Sequence, residues 1–319
     1  MLSKRSINYF ILFFFLSIYL LTMQANLQTS DGMSRYFITK ALCEHGSLFL
    51  SQDEIGPYSY LMLEKEGKYF SKYPIGQSLI AMPFYWLGIV LSQMTGVEKI
   101  FATRFTVLLL NSIINAIACL IIFLFGKKMG FTQRTSFLLS FVYGIGSTMW
   151  SYSETFLAEP LQNLLVLLVA YVLFFKENNG KNLLFCGFLM GMANITRLES
   201  IFAIPSFLLF IFLNQRKETK SLYLKRIIVF FIPIGLFLIL QFFYNYLRFD
   251  SIASYGYEHR KFSYPFLKGL YRVDPGDWHS VRVLLEHHRF LCEFLKSGEG
   301  NIYIEIYSYL KSRLPRRVI

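Results

Sequence analysis

The chain has 319 residues, of which 54% are hydrophobic, 18% aromatic and only 16% charged. That composition excludes an ordinary soluble globular protein and points to a polytopic membrane protein. A net charge of +12 would suggest a nucleic-acid partner. The basic residues, however, gather in short loops between apolar runs, where charges that set membrane topology belong, so no nucleic acid is expected.

In chain order, Lys4 and Arg5 precede an apolar run over 7–23. No convincing small-x-small cleavage site follows, so the run reads as an uncleaved signal anchor. Further apolar stretches lie near 102–125, 135–150, 159–175, 182–195, 198–213 and 227–248. Runs of this kind are read as membrane helices, and the spacing predicts an all-α bundle of about seven transmembrane helices. Residues 1–248 form that region, with a long, partly helical first loop over 24–101. The stretch 75–94 is also apolar but carries Gln77, Pro83, Trp86 and Gly88, and is expected to be an interfacial or re-entrant helix.

Charge then orients the bundle. Lys4 and Arg5, Lys127, Lys128 and Arg134, Lys176 and Lys181, and the group Arg216 to Arg226 would all fall on the side of the N-terminus. By the positive-inside rule that side is cytoplasmic. The loop 24–101, the segment 152–158 and the polar tail 249–319 would then lie outside, in an inner or plasma membrane. Four of the five histidines, His259, His279, His287 and His288, fall in that tail. The four cysteines, Cys43, Cys119, Cys186 and Cys292, show neither metal spacing nor a disulfide framework.

Candidate chemistry lies at the outer ends of the spans. Asp31, in Ser30-Asp31-Gly32, follows the first span within a few residues; it reads either as a solvated loop acid or as a carboxylate exposed by a turn for catalysis. Glu159 precedes Pro160 at a helix start, where the helix dipole alone would favour an acid. If the two converge, they could hold a divalent metal or take a proton from a nucleophile; the sequence does not choose a cofactor. Lys72, before Tyr73-Pro74, and Arg104, at a span start, could be snorkelling cations or could bind a phosphate. Arg197 stands alone between two apolar runs on the side that should lack basic residues, which marks it as a functional candidate. Glu154 and Glu199 are close enough in sequence to pair with it. No phosphate-binding Gly-Lys-Ser/Thr loop, HExxH or GxSxG element is present.

Four segments, in order, carry a family resemblance: Ser30-Asp31-Gly32-Met33-Ser34-Arg35-Tyr36, Lys68-Tyr69-Phe70-Ser71-Lys72-Tyr73-Pro74-Ile75-Gly76, Ala102-Thr103-Arg104-Phe105 and Phe156-Leu157-Ala158-Glu159-Pro160-Leu161. Together they resemble the GT-C membrane glycosyltransferases, in particular bacterial relatives of the protein O-mannosyltransferases and of the lipid A aminoarabinose transferase. The resemblance implies a sugar donor linked to polyprenyl phosphate and a glycan, lipid or protein acceptor, meeting at the membrane lipid surface. It implies that Asp31 activates the acceptor with help from Glu159, and that Lys72, with Arg104 and Arg197, holds the donor phosphate. It extends over roughly 5–270. After about Tyr271, Arg272-Val273-Asp274-Pro275-Gly276 stands where relatives continue with a Gly- and Ser-Pro-rich loop and more spans. The expectation is therefore a membrane glycosyltransferase or a C-terminally truncated copy of one, such as a frameshift would produce, and a truncation would put the activity in question. The alternatives are a transporter or flippase of a lipid-linked sugar and a non-catalytic membrane scaffold.

Overall fold

A computed structural model describes residues 4–252 except 25, 28, 178 and 215–219, all within one compact unit that spans Met1–Arg260. The expectations for the late histidines and for the divergent tail lie outside the described residues. Among the described residues there are eleven α-helices and one small sheet, so the molecule is an all-α membrane helix bundle.

Helix α1 (Lys4–Thr22) turns Ile11, Phe15 and Tyr19 inward, one turn apart, and leaves Tyr9, Phe10, Phe13 and Leu21 exposed. Helix α2 (Ser30–His45) is capped by the Thr29 hydroxyl, which accepts from the Gly32 amide, and ends on left-handed Gly46. Strand β1 (Phe49–Leu50) follows, then α3 (Gln52–Ile55) and a 3₁₀ turn (Gly56–Leu61). Strands β2 (Leu63–Lys65) and β3 (Lys68–Phe70) complete an antiparallel sheet of order β1-β3-β2. Glu66 and Gly67 both take positive φ between β2 and β3, as a two-residue hairpin turn requires.

Helix α4 (Gly76–Thr95) is continuous through Pro83. This corrects the re-entrant alternative, since no break turns the chain back. It is one of four helices long and apolar enough to cross a membrane, with α1, α5 (Lys99–Lys128) and α11 (Lys220–Phe249). Its contacts show where it lies. Gly76 abuts Thr196, Gln77 bonds to Asn111, and Gly88 abuts Thr103 and Thr106. Helix α4 therefore packs beside the part of α5 that precedes Asn111, while the remainder of α5 runs on to Lys127 and Lys128.

The run expected at 135–150 is not one helix. Helix α6 (Gln133–Gly144) stops after 12 residues, about 18 Å at 1.5 Å per residue, and the chain continues alongside α5, where Asn115 donates to the Met149 carbonyl and Ser112 to the Ser153 carbonyl. Gly144 and Gly146 interrupt the apolar run, and the short helix α7 (Met149–Ser153) follows. Gly144 is needed for packing: a Cβ there would lie 2.6 Å from the Cys119 sulfur and 2.8 Å from the Tyr19 hydroxyl. Helices α8 (Glu159–Phe175) and α9 (Gly180–Thr196) coincide with or enclose their predicted runs. The run at 198–213 begins as a 3₁₀ turn (Leu198–Ala203) and continues as α10 (Ile204–Asn214).

Helices α9 and α11 meet through Gly187 and Gly191, four residues apart on one face of α9. A Cβ on the first would strike the Phe230 carbonyl, and on the second the Phe237 ring. Small residues let membrane helices approach closely where water supplies no driving force. Gly187→Val should force the pair apart at about 1–3 kcal/mol or more. Thermal unfolding in detergent should show a clear drop in midpoint, and an unchanged midpoint would mean that the interface tolerates separation.

Candidate active site

One end of the bundle holds a cavity of about 410 Å³ whose lining includes Asp31, Arg35, Tyr73, Glu159, Arg197, Glu199, Gln241 and Arg248. Asp31 stands in the first turn of α2 and Arg35 one turn further on, so both face the same way. Glu159 opens α8 ahead of Pro160. The loop before it is held by buried amides: Asn111 Nδ2 donates to the Thr155 and Leu157 carbonyls at 2.7 and 2.8 Å, and Gln77 Nε2 donates to Leu157 at 2.9 Å. These bonds fix the start of α8 against α4 and α5.

Arg197 caps α9 and donates to Glu159 Oε1, while its Nη2 and Nε reach Glu199 at 3.2 and 3.4 Å. Burial opposes its charge, but the Glu199 and Glu159 carboxylates outweigh burial and raise its pKa. Arg197 is thus engaged with two acids in this state. Glu159 Oε2 and Gln241 Oε1 are buried acceptors with no hydrogen-bond donor. Two such oxygens in one polar cavity suit a ligand bearing hydroxyl groups.

Arg35 stacks on Tyr73, its guanidinium carbon 4.1 Å from the ring centre. Lys72 is not itself a lining residue; it precedes the lining residues Tyr73 and Pro74 in the chain, and its ammonium is 5.1 Å from the centre of the Tyr73 ring. The turn that carries Lys72 is clamped by Arg248, whose Nη1 donates to the Ser71 and Tyr73 carbonyls at 2.7 and 3.0 Å. The two acceptors flank Lys72 in the chain, so the guanidinium on α11 fixes the lysine's backbone from both sides.

Asp31, Glu159 and Arg197 therefore share one cavity, and Lys72 adjoins its lining residue Tyr73 in the chain. Arg104 does not join them. It lines a separate cavity of about 450 Å³ bounded by α2, the 3₁₀ turn after α3, α4 and the start of α5. Arg35, Gln241 and Arg248 were not singled out from the sequence, although each left a trace. Arg35 follows Asp31 by four residues, Gln241 is a polar residue inside an apolar run, and Arg248 breaks the charge asymmetry as Arg197 does. Among the described residues, no group of three or more His, Cys, Asp or Glu side chains could hold a metal ion.

An all-α bundle with membrane-length apolar helices and a charged cavity at one end defines an integral membrane protein with a polar site. The sequence pattern of the dolichyl-phosphate-mannose-protein mannosyltransferase family matches residues 71–243, more than half of the chain, and the chain belongs to this GT-C family of membrane glycosyltransferases. The matched stretch contains Lys72, Arg104, Glu159, Arg197 and Gln241 and begins after Asp31. No curated protein and no solved structure matches the chain.

Proposed function

We propose that the chain transfers mannose from a polyprenyl-phosphate donor to a hydroxyl group of a protein acceptor, at the extracytoplasmic face of the plasma membrane. The observation that carries this reading is the convergence of Asp31 and Glu159 in a single cavity, in a chain of this family. The orientation rests on Lys127, Lys128, Lys176 and Lys181, which flank the opposite ends of α5, α8 and α9 and belong in the cytoplasm.

In the transfer step the acceptor oxygen bonds to the anomeric carbon as the bond from that carbon to the phosphate oxygen breaks. The hydroxyl proton passes to the Asp31 carboxylate, and the polyprenyl phosphate leaves with the bonding electrons. Glu159 Oε2 and Gln241 Oε1, the two acceptors that lack a donor, receive hydrogen bonds from sugar hydroxyls. Lys72 and Arg35 steady the negative charge of the leaving phosphate, and Arg197 joins them when the sugar competes for Glu159. Fixed cations in a dry site contribute more here than in water.

The test is reconstitution of the full chain in liposomes with labelled polyprenyl-phosphate mannose. Label covalently attached to a protein acceptor supports transfer; label that only crosses the bilayer overturns it in favour of a flippase. Lys72→Ala should raise the donor KM about 10–150-fold, corresponding to about 1.5–3 kcal/mol for a charge-assisted hydrogen bond, with the acceptor KM little changed. An unchanged donor KM would remove Lys72 from the phosphate site.

A further inference from the structure

The cavity around Arg104 has no part in the transfer step, yet its construction is that of a binding site. Arg104 is 5% exposed, and its Nε and Nη2 are buried with no hydrogen-bond acceptor. Its guanidinium carbon is 5.7 Å from the centres of both the Tyr36 and the Tyr58 rings, and among the described residues its one hydrogen bond, to Asn26 Oδ1, is a long 3.5 Å. A buried charge with donors left over is costly unless a ligand completes it.

Two carboxylates of the same cavity, Glu44 and Glu54, are already engaged. Glu44 accepts from Tyr85 and from Lys99, both at 2.6 Å. Glu54 accepts from the Ser51 amide and hydroxyl at 2.8 and 2.7 Å and contacts His45 at 2.5 Å. Burial would raise the Glu44 pKa, but Lys99 and Tyr85 bring it below the usual range and keep it charged at neutral pH. Asp53 and Glu98 are exposed, where water screens them. The unused bonding capacity is therefore that of a donor, and the complement is an oxyanion.

Helix α2 relates this cavity to the first. Asp31 and Arg35 line the first cavity, while Tyr36, Phe37, Lys40 and Glu44 line the second. At 100° per residue these two sets lie on opposite faces of one helix. A ligand that reaches both must pass around α2, whose diameter with side chains is about 10–12 Å. Half the circumference is about 16–19 Å, which an extended polypeptide covers in about five to six residues.

We propose that the Arg104 cavity is an acceptor subsite, which takes a carboxylate side chain of the acceptor polypeptide about five to six residues from the hydroxyl that receives the sugar. Tyr36 and Tyr58 flank the bound carboxylate, and Lys40 adds positive potential. The proposal rests on the reading of the chain as a protein-directed transferase.

The test compares two threonine peptides, one with Asp and one with Asn about five residues from the threonine, on the reconstituted full chain. The acidic peptide should show a KM at least about tenfold lower. The advantage should vanish in Arg104→Gln and largely persist in Arg104→Lys, with donor KM unchanged in both. Binding of the same peptides, fluorescently labelled, to the detergent-solubilised chain without donor separates this proposal from the transfer reading. If the acidic peptide binds in preference to its amide but no sugar is transferred, the subsite stands and the activity is wrong. Equal affinity of the wild-type chain for the two peptides overturns the subsite, and it needs no variant to fold. A raised donor KM in Arg104→Gln with an unchanged peptide preference also overturns it and assigns Arg104 to a phosphate.

Discussion

Asp31→Asn should reduce kcat by about 10²–10⁴-fold, the usual cost of losing a general base, with donor KM nearly unchanged. The substitution preserves side-chain size at a half-buried position. The cap of α2 is made by Thr29 with the Gly32 amide, and among the described residues the side chain of Asp31 has one hydrogen bond, of 3.3 Å, from the neighbouring Ser30 hydroxyl. The fold should therefore survive, and only the proton acceptor is lost. Glu159→Gln should disturb both fold and chemistry, because Glu159 is also the partner of Arg197. The check is a single-turnover assay with saturating donor; an Asp31→Asn chain that retains most of the wild-type rate would show that another group takes the proton.

Arg248→Met should be the more damaging change to the protein as a whole. Arg248 is 3% exposed, and besides Ser71 and Tyr73 its Nη2 donates to Asn245 Oδ1 at 2.7 Å. Methionine fills similar volume but leaves the Ser71 and Tyr73 carbonyls without this donor in a buried turn, at about 1–3 kcal/mol for each unsatisfied group. The expected result is a lower unfolding temperature in detergent together with a raised donor KM, since Lys72 loses its fixed backbone. Arg248→Lys should restore the charge but not the planar fork, whose Nη1 holds both carbonyls while Nη2 holds Asn245, and so should recover stability only in part. If Arg248→Met unfolds at the wild-type temperature with an unchanged donor KM, the clamp does not hold the turn.

The glycines show the limit of reading local pattern alone. Gly187 and Gly191 sit in an apolar run that reads as a plain membrane span, and only the approach of Phe230 and Phe237 reveals why they are small. Gly144 and Gly146 did carry a local warning, because they interrupt the run that ends in α6. The continuity of α4 through Pro83 goes the other way: α5 and the end of α9 pack against it, and that packing carries the helix past a residue that costs it a backbone hydrogen bond.

The bundle itself was determined by the sequence. Apolar runs of helical length leave the backbone no other way to satisfy its hydrogen bonds in lipid, and Asp31, Glu159 and Arg197 were visible because a charge at a span end has few structural excuses. The tertiary structure alone decided which charges meet. Arg248 and Ser71 are 177 positions apart, and Gln77 and Leu157 are 80 apart, so neither pair leaves a periodic signal. The separation of Arg104 from Asp31 was equally invisible, because it follows from the opposite faces of α2 packing against different helices, and the packing of one helix on several others is a property of the whole chain.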